Sequence, residues 1–298
     1  MPGRIVITLV VLTAIISGIA AFSGVLSEEG SGSYIYKSIR GQEVEIYGRG
    51  LYRHMSSDVA VQGIAQDWVT LLLGIPAMLI SLIYSLKGSL RGRTVLSGIL
   101  FYFFVTYLFY TAMGMYNIMF PAYISLMGLS FFAFTITLMS GNPELRAKRL
   151  SRAGRRVKAG GFFLIINSCL IFLLWLQVIL PPLFDGTIYP EQLHHYTTLI
   201  VQGFDLGLLL PMGIVSGVMA VRGKKYGFLF TPVYLVFLTL LMAALTSKVI
   251  FMARTGQNVI PVIFIMPSLC LTAAFFSFRI ISCLKENPGQ TIDSRNSE

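Results

Sequence analysis

The sequence predicts an all-α integral membrane protein with eight transmembrane helices, and three observations carry the prediction. Only 12% of the 298 residues are charged and 55% are hydrophobic, which is about half the charged share of a soluble domain. Apolar runs near 20 residues, the length that spans a bilayer, recur along the chain. Basic residues favour every second connection: 17 of the 23 Lys and Arg lie at the termini and in that set of loops. Positive residues mark the cytoplasmic side, so both termini are expected there, in a multi-pass protein of the plasma membrane. The net charge of +10 follows from this topology. No nucleic-acid partner is expected, because binding needs a folded basic face.

The first span is expected at Ile5–Leu26. It is longer than the roughly 7–15 residues of a signal-peptide core, which favours a retained helix over a cleaved leader. The long polar connection 27–57 is expected outside as a small cap. In it Tyr34-Ile35-Tyr36 and Val44-Glu45-Ile46-Tyr47 flank Arg40-Gly41, which suits either a short hairpin or a strandless loop. The other spans are expected at about Asp58–Leu86, Val95–Met115, Ile118–Ser140, Gly161–Leu180, Leu199–Val221, Gly227–Met252 and Ile260–Leu284. Pro181-Pro182 stops the fifth. A cytoplasmic tail, 286–298, closes the single membrane domain, 1–298.

The second and sixth spans read alike: a polar start, a leucine run, a proline (Pro76, Pro211) and a basic turn. Each is followed by a span, a short turn at Asn117 or Asn258, and another span. This order predicts two half-repeats, about 1–140 and 160–285, in parallel orientation about an axis normal to the membrane.

Asp58, Gln62 and Gln66 lie at i, i+4, i+8, hence on one helical stripe, with Asp67 beside it. Thr198, Gln202 and Asp205 form a similar stripe on the sixth span, and Lys248 lies one to two turns inside the seventh. Ionisable groups in a span face the interior and pair. One expectation is an outward-facing polar pocket of Asp67, Asp205, Lys248, Gln66 and Gln202, extended by Asp58 and Gln62 and suited to a small polar ligand. The alternative is a partly hydrated cluster that locks the second, sixth and seventh helices together. Pro76 and Pro211 leave the carbonyls of Leu72 and Gly207 without their usual partners, as in broken transporter helices or in ordinary kinks.

His54, His194 and His195 show no metal-ligand spacing, and no span carries a central histidine pair for haem. No cofactor or metal is expected. Cys169, Cys270 and Cys283 lie in or at the end of apolar runs without a CxxC, so no disulfide framework is implied. The basic stretch Arg146–Lys158 suits anionic lipid head groups.

AQDWVTLLLGIP, YNIMFPAYISL and VQGFDLGLLLP resemble landmarks of a family of prokaryotic polytopic membrane proteins of unassigned activity. The resemblance covers most of 56–273 and implies no substrate. A carrier or solute-binding protein is the leading expectation. A membrane enzyme acting on a lipid-linked or periplasmic substrate is the alternative, and a non-catalytic sensor or assembly subunit is a third.

Overall fold

A computed structural model describes residues 3–140 and 143–284; the expected tail lies outside the described residues. Among these, eight helices are long and apolar enough to cross a membrane: α1 Arg4–Leu26, α2 Ser57–Leu86, α3 Leu90–Met113, α4 Phe120–Met139, α5 Gly154–Ile179, α6 Ile200–Val221, α7 Lys225–Arg254 and α8 Val262–Ile281. Their outward faces are apolar: Phe162, Ile166 and Leu170 on α5 and Leu271, Phe275 and Phe278 on α8 are all exposed. Polar side chains turn inward instead, with Ser17, Thr70, Ser97, Ser130, Asn167 and Thr231 buried. Such a surface suits lipid, and the chain is an integral multi-pass membrane protein.

Two helices form the axis of the bundle. The apolar windows of α3 and α7 are 67% and 72% buried, against 17–33% for the other six. They cross at Gly98, where a Cβ would stand 2.5 Å from Val236 Cβ and 2.7 Å from Val233 O. Without a hydrophobic force between helices in lipid, close backbone approach of this kind carries the packing. Around the axis α1 packs on α2 and α4, α2 on α3, and α3 on α4. The same pattern recurs as α5 on α6 and α8, α6 on α7, and α7 on α8. The cross contacts match too, α2 with α7 and α6 with α3.

A set of local devices repeats 135 positions on. Five residues of π-helix interrupt α2 at Thr70–Gly74 and α6 at Asp205–Leu209, each just ahead of the proline. There the Ile75 N–H donates to Thr70 O and the Leu210 N–H to Asp205 O. The proline lacks an N–H, and the helix absorbs that by a wider turn. Both helices then continue, so of the breaks or kinks that Pro76 and Pro211 allow, the structure has bulges in continuous helices. Gly88 and Gly223 next turn the chain with φ of +81° and +69°, a conformation glycine adopts without strain.

The basic segment after α4 is not an open loop. Pro143–Ser151 forms a short linker helix with Arg146, Ala147 and Leu150 buried. α5 also begins seven residues earlier than its apolar run, with Val157 inward and Arg155 and Lys158 exposed.

Residues Tyr34–Lys37 and Glu43–Ile46 form an antiparallel hairpin, β1 and β2. Val44 and Ile46 are buried while Glu43 and Glu45 face out. The hairpin clasps the α5–α6 connection. Arg40 Nη2 donates to Tyr196 O at 2.8 Å, Gln42 Nε2 to Glu191 O at 3.0 Å, and the Tyr189 hydroxyl to Arg40 O at 3.0 Å. His195 Nε2 lies 3.2 Å from His54 O.

Burial, and then neighbouring His194, hold the His195 ring below its usual value against the pull of the His54 carbonyl. The docked ring therefore resists a proton that an undocked one accepts. Docking is fully stable above the ordinary histidine pKa of about 6.5 and weakens as pH falls through the lower folded value. Hydrogen-exchange protection at Tyr196, referred to the intrinsic rate at each pH, should fall below about pH 6, and His195→Phe should flatten that dependence.

Candidate functional site

Asp67 sits on α2 one turn before the π-segment and is 5% exposed. Its Oδ2 accepts from the Tyr52 hydroxyl at 2.5 Å and its Oδ1 from the Tyr110 hydroxyl at 3.0 Å. The Tyr110 hydroxyl also lies 3.1 Å from Gly63 O. Burial, and then the Asp67 carboxylate, hold the Tyr52 phenol well above its usual value, so it serves as a donor. The α1 backbone closes the remaining side, because a Cβ on Gly24 would stand 1.9 Å from Oδ2. Tyr107 and Tyr123 complete an aromatic wall, their rings 5.8 and 5.1 Å from that of Tyr110.

Gln66 turns the other way. Its Nε2 donates to the Tyr102 hydroxyl at 2.6 Å, and Thr70 Oγ1 donates to Gln66 O at 3.0 Å. Tyrosines from α3 thus engage both neighbours on α2. Asp58 lies near the start of α2 and is held from the α7–α8 turn, where Gln257 Nε2 donates to its Oδ1 at 2.5 Å. Gln62 is half-buried between these levels.

Asp205 opens the π-segment of α6 and is half-buried. Trp175 Nε1 on α5 donates to its Oδ2 at 2.8 Å. Gln202, one turn earlier, is also half-buried. Lys248 reaches this level on α7, where the adjacent Ser247 Oγ donates to Ala65 O of α2 at 3.1 Å. Lys248 pairs in contact with neither aspartate: among the described residues the salt bridge found is Lys225–Glu144. The lysine and the two aspartates thus share one region without a contact salt bridge among them. Each carboxyl group is met by neutral donors, Asp67 by phenols and Asp205 by an indole.

Tyr52, Tyr102, Tyr110, Trp175 and Gly24 carry this geometry and were not singled out by the sequence. Tyr107 and Tyr110, spaced i, i+3 in an aromatic-rich span, were the available signal. For Gly24 there was none. A surface cleft of about 820 Å³ lies elsewhere, beside the hairpin junction, lined by Arg40, Gln177, Asp185 and Glu191 among others.

No protein-family model matches the chain, and neither a curated protein nor a solved structure matches it significantly.

Proposed function

We propose that this chain is a carrier for a small polar solute, built from two four-helix halves in parallel orientation, with its site between α2, α6 and α7. The basic face and both termini are cytoplasmic, the hairpin lies outside the plasma membrane, and the site opens outward in one of two states. The observation that carries this reading is that Lys248, brought level with Asp67 by the Ser247–Ala65 contact, makes a salt bridge with neither aspartate. A lock would be expected to close the contact, since pairing offsets desolvation. A stand-off leaves Lys248 and the second oxygen of Asp205 to take a solute's own charged groups, while Asp67 stays held by its tyrosines. The π-segments support it, because Thr70–Gly74 and Asp205–Leu209 are bulges of the sort found at functional sites in helices. A bulge that moves along its helix would re-aim the neighbouring acid or glutamine.

Counterflow tests the proposal. Proteoliposomes loaded in turn with labelled amino acids, small carboxylates, amines and sugars should exchange at least one class well above empty liposomes. Asp205→Asn keeps an acceptor for Trp175 and removes the charge, so it should fold and lose about tenfold or more of the rate, as expected for a charge-assisted contact worth about 1.5–3 kcal/mol. Exchange no faster than in empty liposomes for every class, with folded protein, would contradict it.

A second reading rests on one further observation. Ser56 Oγ lies 3.3 Å from His194 Nδ1, and His194 has φ of +51°, a backbone strain of the kind that clusters at functional sites. If this pair is a nucleophile and base, a fluorophosphonate probe should label Ser56 in detergent and His194→Ala should abolish the labelling.

A further inference from the structure

Four buried side-chain atoms at the basic end of the bundle have no hydrogen-bond partner: Arg93 Nε, Arg146 Nη1, Thr137 Oγ1 and Ser85 Oγ. They come from adjoining places, the end of α2, the first turn of α3, the end of α4 and the linker helix. Arg146 is 1% exposed and Arg93 7%. Both donate to main-chain carbonyls at the C-terminus of α4, Arg146 Nη2 to Leu138 O and Arg93 Nη1 to Ser140 O at 3.4 Å. Each guanidinium therefore keeps an idle donor. The two also interact as like charges. The linker helix has one acid, Glu144, and that residue is turned outward against Lys225.

Capping a helix end does not require this arrangement. At the matching end of α8, Arg91 donates to Leu284 O at 2.8 Å and Ser282 O at 3.0 Å, and Arg156 donates to Arg279 O at 3.4 Å. Both of those arginines are exposed and keep their hydration. A helix C-terminus supplies roughly half a negative charge, less than either buried guanidinium needs. Two like charges shut away from water with donors to spare call for an anion.

We propose that Arg93 and Arg146 form a binding site for a phosphate oxyanion, with the Thr137 and Ser85 hydroxyls as further donors. Each guanidinium can give its idle N–H to a phosphate oxygen as a charge-assisted hydrogen bond. The idle nitrogens and the two hydroxyls offer donors from four separate elements, which suits the tetrahedral oxygens of a phosphate better than the planar pair of a carboxylate. The phosphate comes either from a lipid head group at the membrane surface or from solution. The site is separate from the Asp67–Lys248 cluster and does not depend on the carrier reading.

The test uses full-length protein in phosphate-free detergent at constant ionic strength, with thermal unfolding as the readout. Inorganic phosphate is titrated in one arm and phosphatidylglycerol in the other, against a galactolipid that lacks phosphate. The unfolding midpoint should rise by several degrees in at least one arm and not with the galactolipid. A rise with phosphatidylglycerol alone assigns the bilayer as source, and a rise with inorganic phosphate assigns solution. Arg146→Met should lose the rise, while Arg152→Gln, which removes an exposed charge nearby, should keep it. Where Arg146→Met gives no folded protein, Arg93→Gln is read in its place. No rise in either arm for the wild type, or an equal rise in the wild type and the Arg93 or Arg146 variant, overturns the site.

Discussion

Replacing Gly24 by alanine should cost about 3 kcal/mol of stability, the upper end for overpacking a filled core. The new methyl would stand 1.9 Å from Asp67 Oδ2 and 2.9 Å from the Tyr52 hydroxyl. The carboxylate cannot retreat, because Tyr52 and Tyr110 hold its two oxygens from different elements. α1 must then part from α2, and the loop residue Tyr52 moves with it. Truncating Asp67 to alanine should also destabilise, by taking from the buried Tyr52 hydroxyl its acceptor while Tyr110 falls back on Gly63 O, at about 1–3 kcal/mol. In the double variant Gly24→Ala/Asp67→Ala the methyl occupies the vacated space, so the two losses should be far from additive. Denaturant unfolding of the four proteins measures this. Additive losses would mean that Gly24 and Asp67 do not meet.

The second large effect is expected at the α6–α7 hairpin. A Cβ on Gly227 would stand 2.1 Å from Ala220 N and 2.2 Å from Met219 C. These are backbone atoms, which cannot swing aside as a side chain can. Gly92 holds the matching place against α2, with its nearest atoms at 2.6 and 2.8 Å on Tyr84 and Ser85. Gly227→Ala should therefore cost the most, on the order of 3 kcal/mol or more, with Gly92→Ala somewhat less. Gly128 on α4 has nothing within 4 Å of its would-be Cβ. Alanine there should be neutral or gain up to about 1 kcal/mol in helix propensity. The ranking of the three unfolding midpoints checks the account of how the helix pairs close.

How far the sequence could be read followed from what each residue's chemistry exposes. Eight apolar runs revealed eight helices, and Lys248 and the two aspartates stood out because charge is costly inside a span. The ends were less visible. Leu90–Thr94 and Gly154–Gly160 are rich in Arg, Lys and Gly, which a composition reading assigns to loops; both are helical, because Gly92, Val157 and Gly160 face neighbours and most of the charges face out. Pro76 and Pro211 signalled a disturbance, but only the structure distinguishes a bulge from a break. Arg146 looked like one more solvated charge in a basic run and is instead fully buried. Tyrosines hid best: in a span rich in Phe and Tyr they read as apolar wall, and their hydroxyls on Asp67 and Gln66 depend on which way α3 faces. Gly24 could not be read at all, since its role exists only where α1 meets a carboxylate 43 residues further along the chain.

Access to the site from both sides of the membrane is the central claim, and cysteine labelling measures it directly. With Cys169, Cys270 and Cys283 replaced by serine, single cysteines at Ser33, Ser151 and Gln202 are treated with an impermeant maleimide in right-side-out and inside-out vesicles. Ser33→Cys, in the hairpin connection, should react only in right-side-out vesicles, and Ser151→Cys, in the basic segment, only in inside-out vesicles. Gln202→Cys, at the level of the half-buried cluster, should react in both. Labelling of Gln202→Cys from a single side would contradict alternating access, and reversal of Ser33→Cys and Ser151→Cys would contradict the orientation on which it rests.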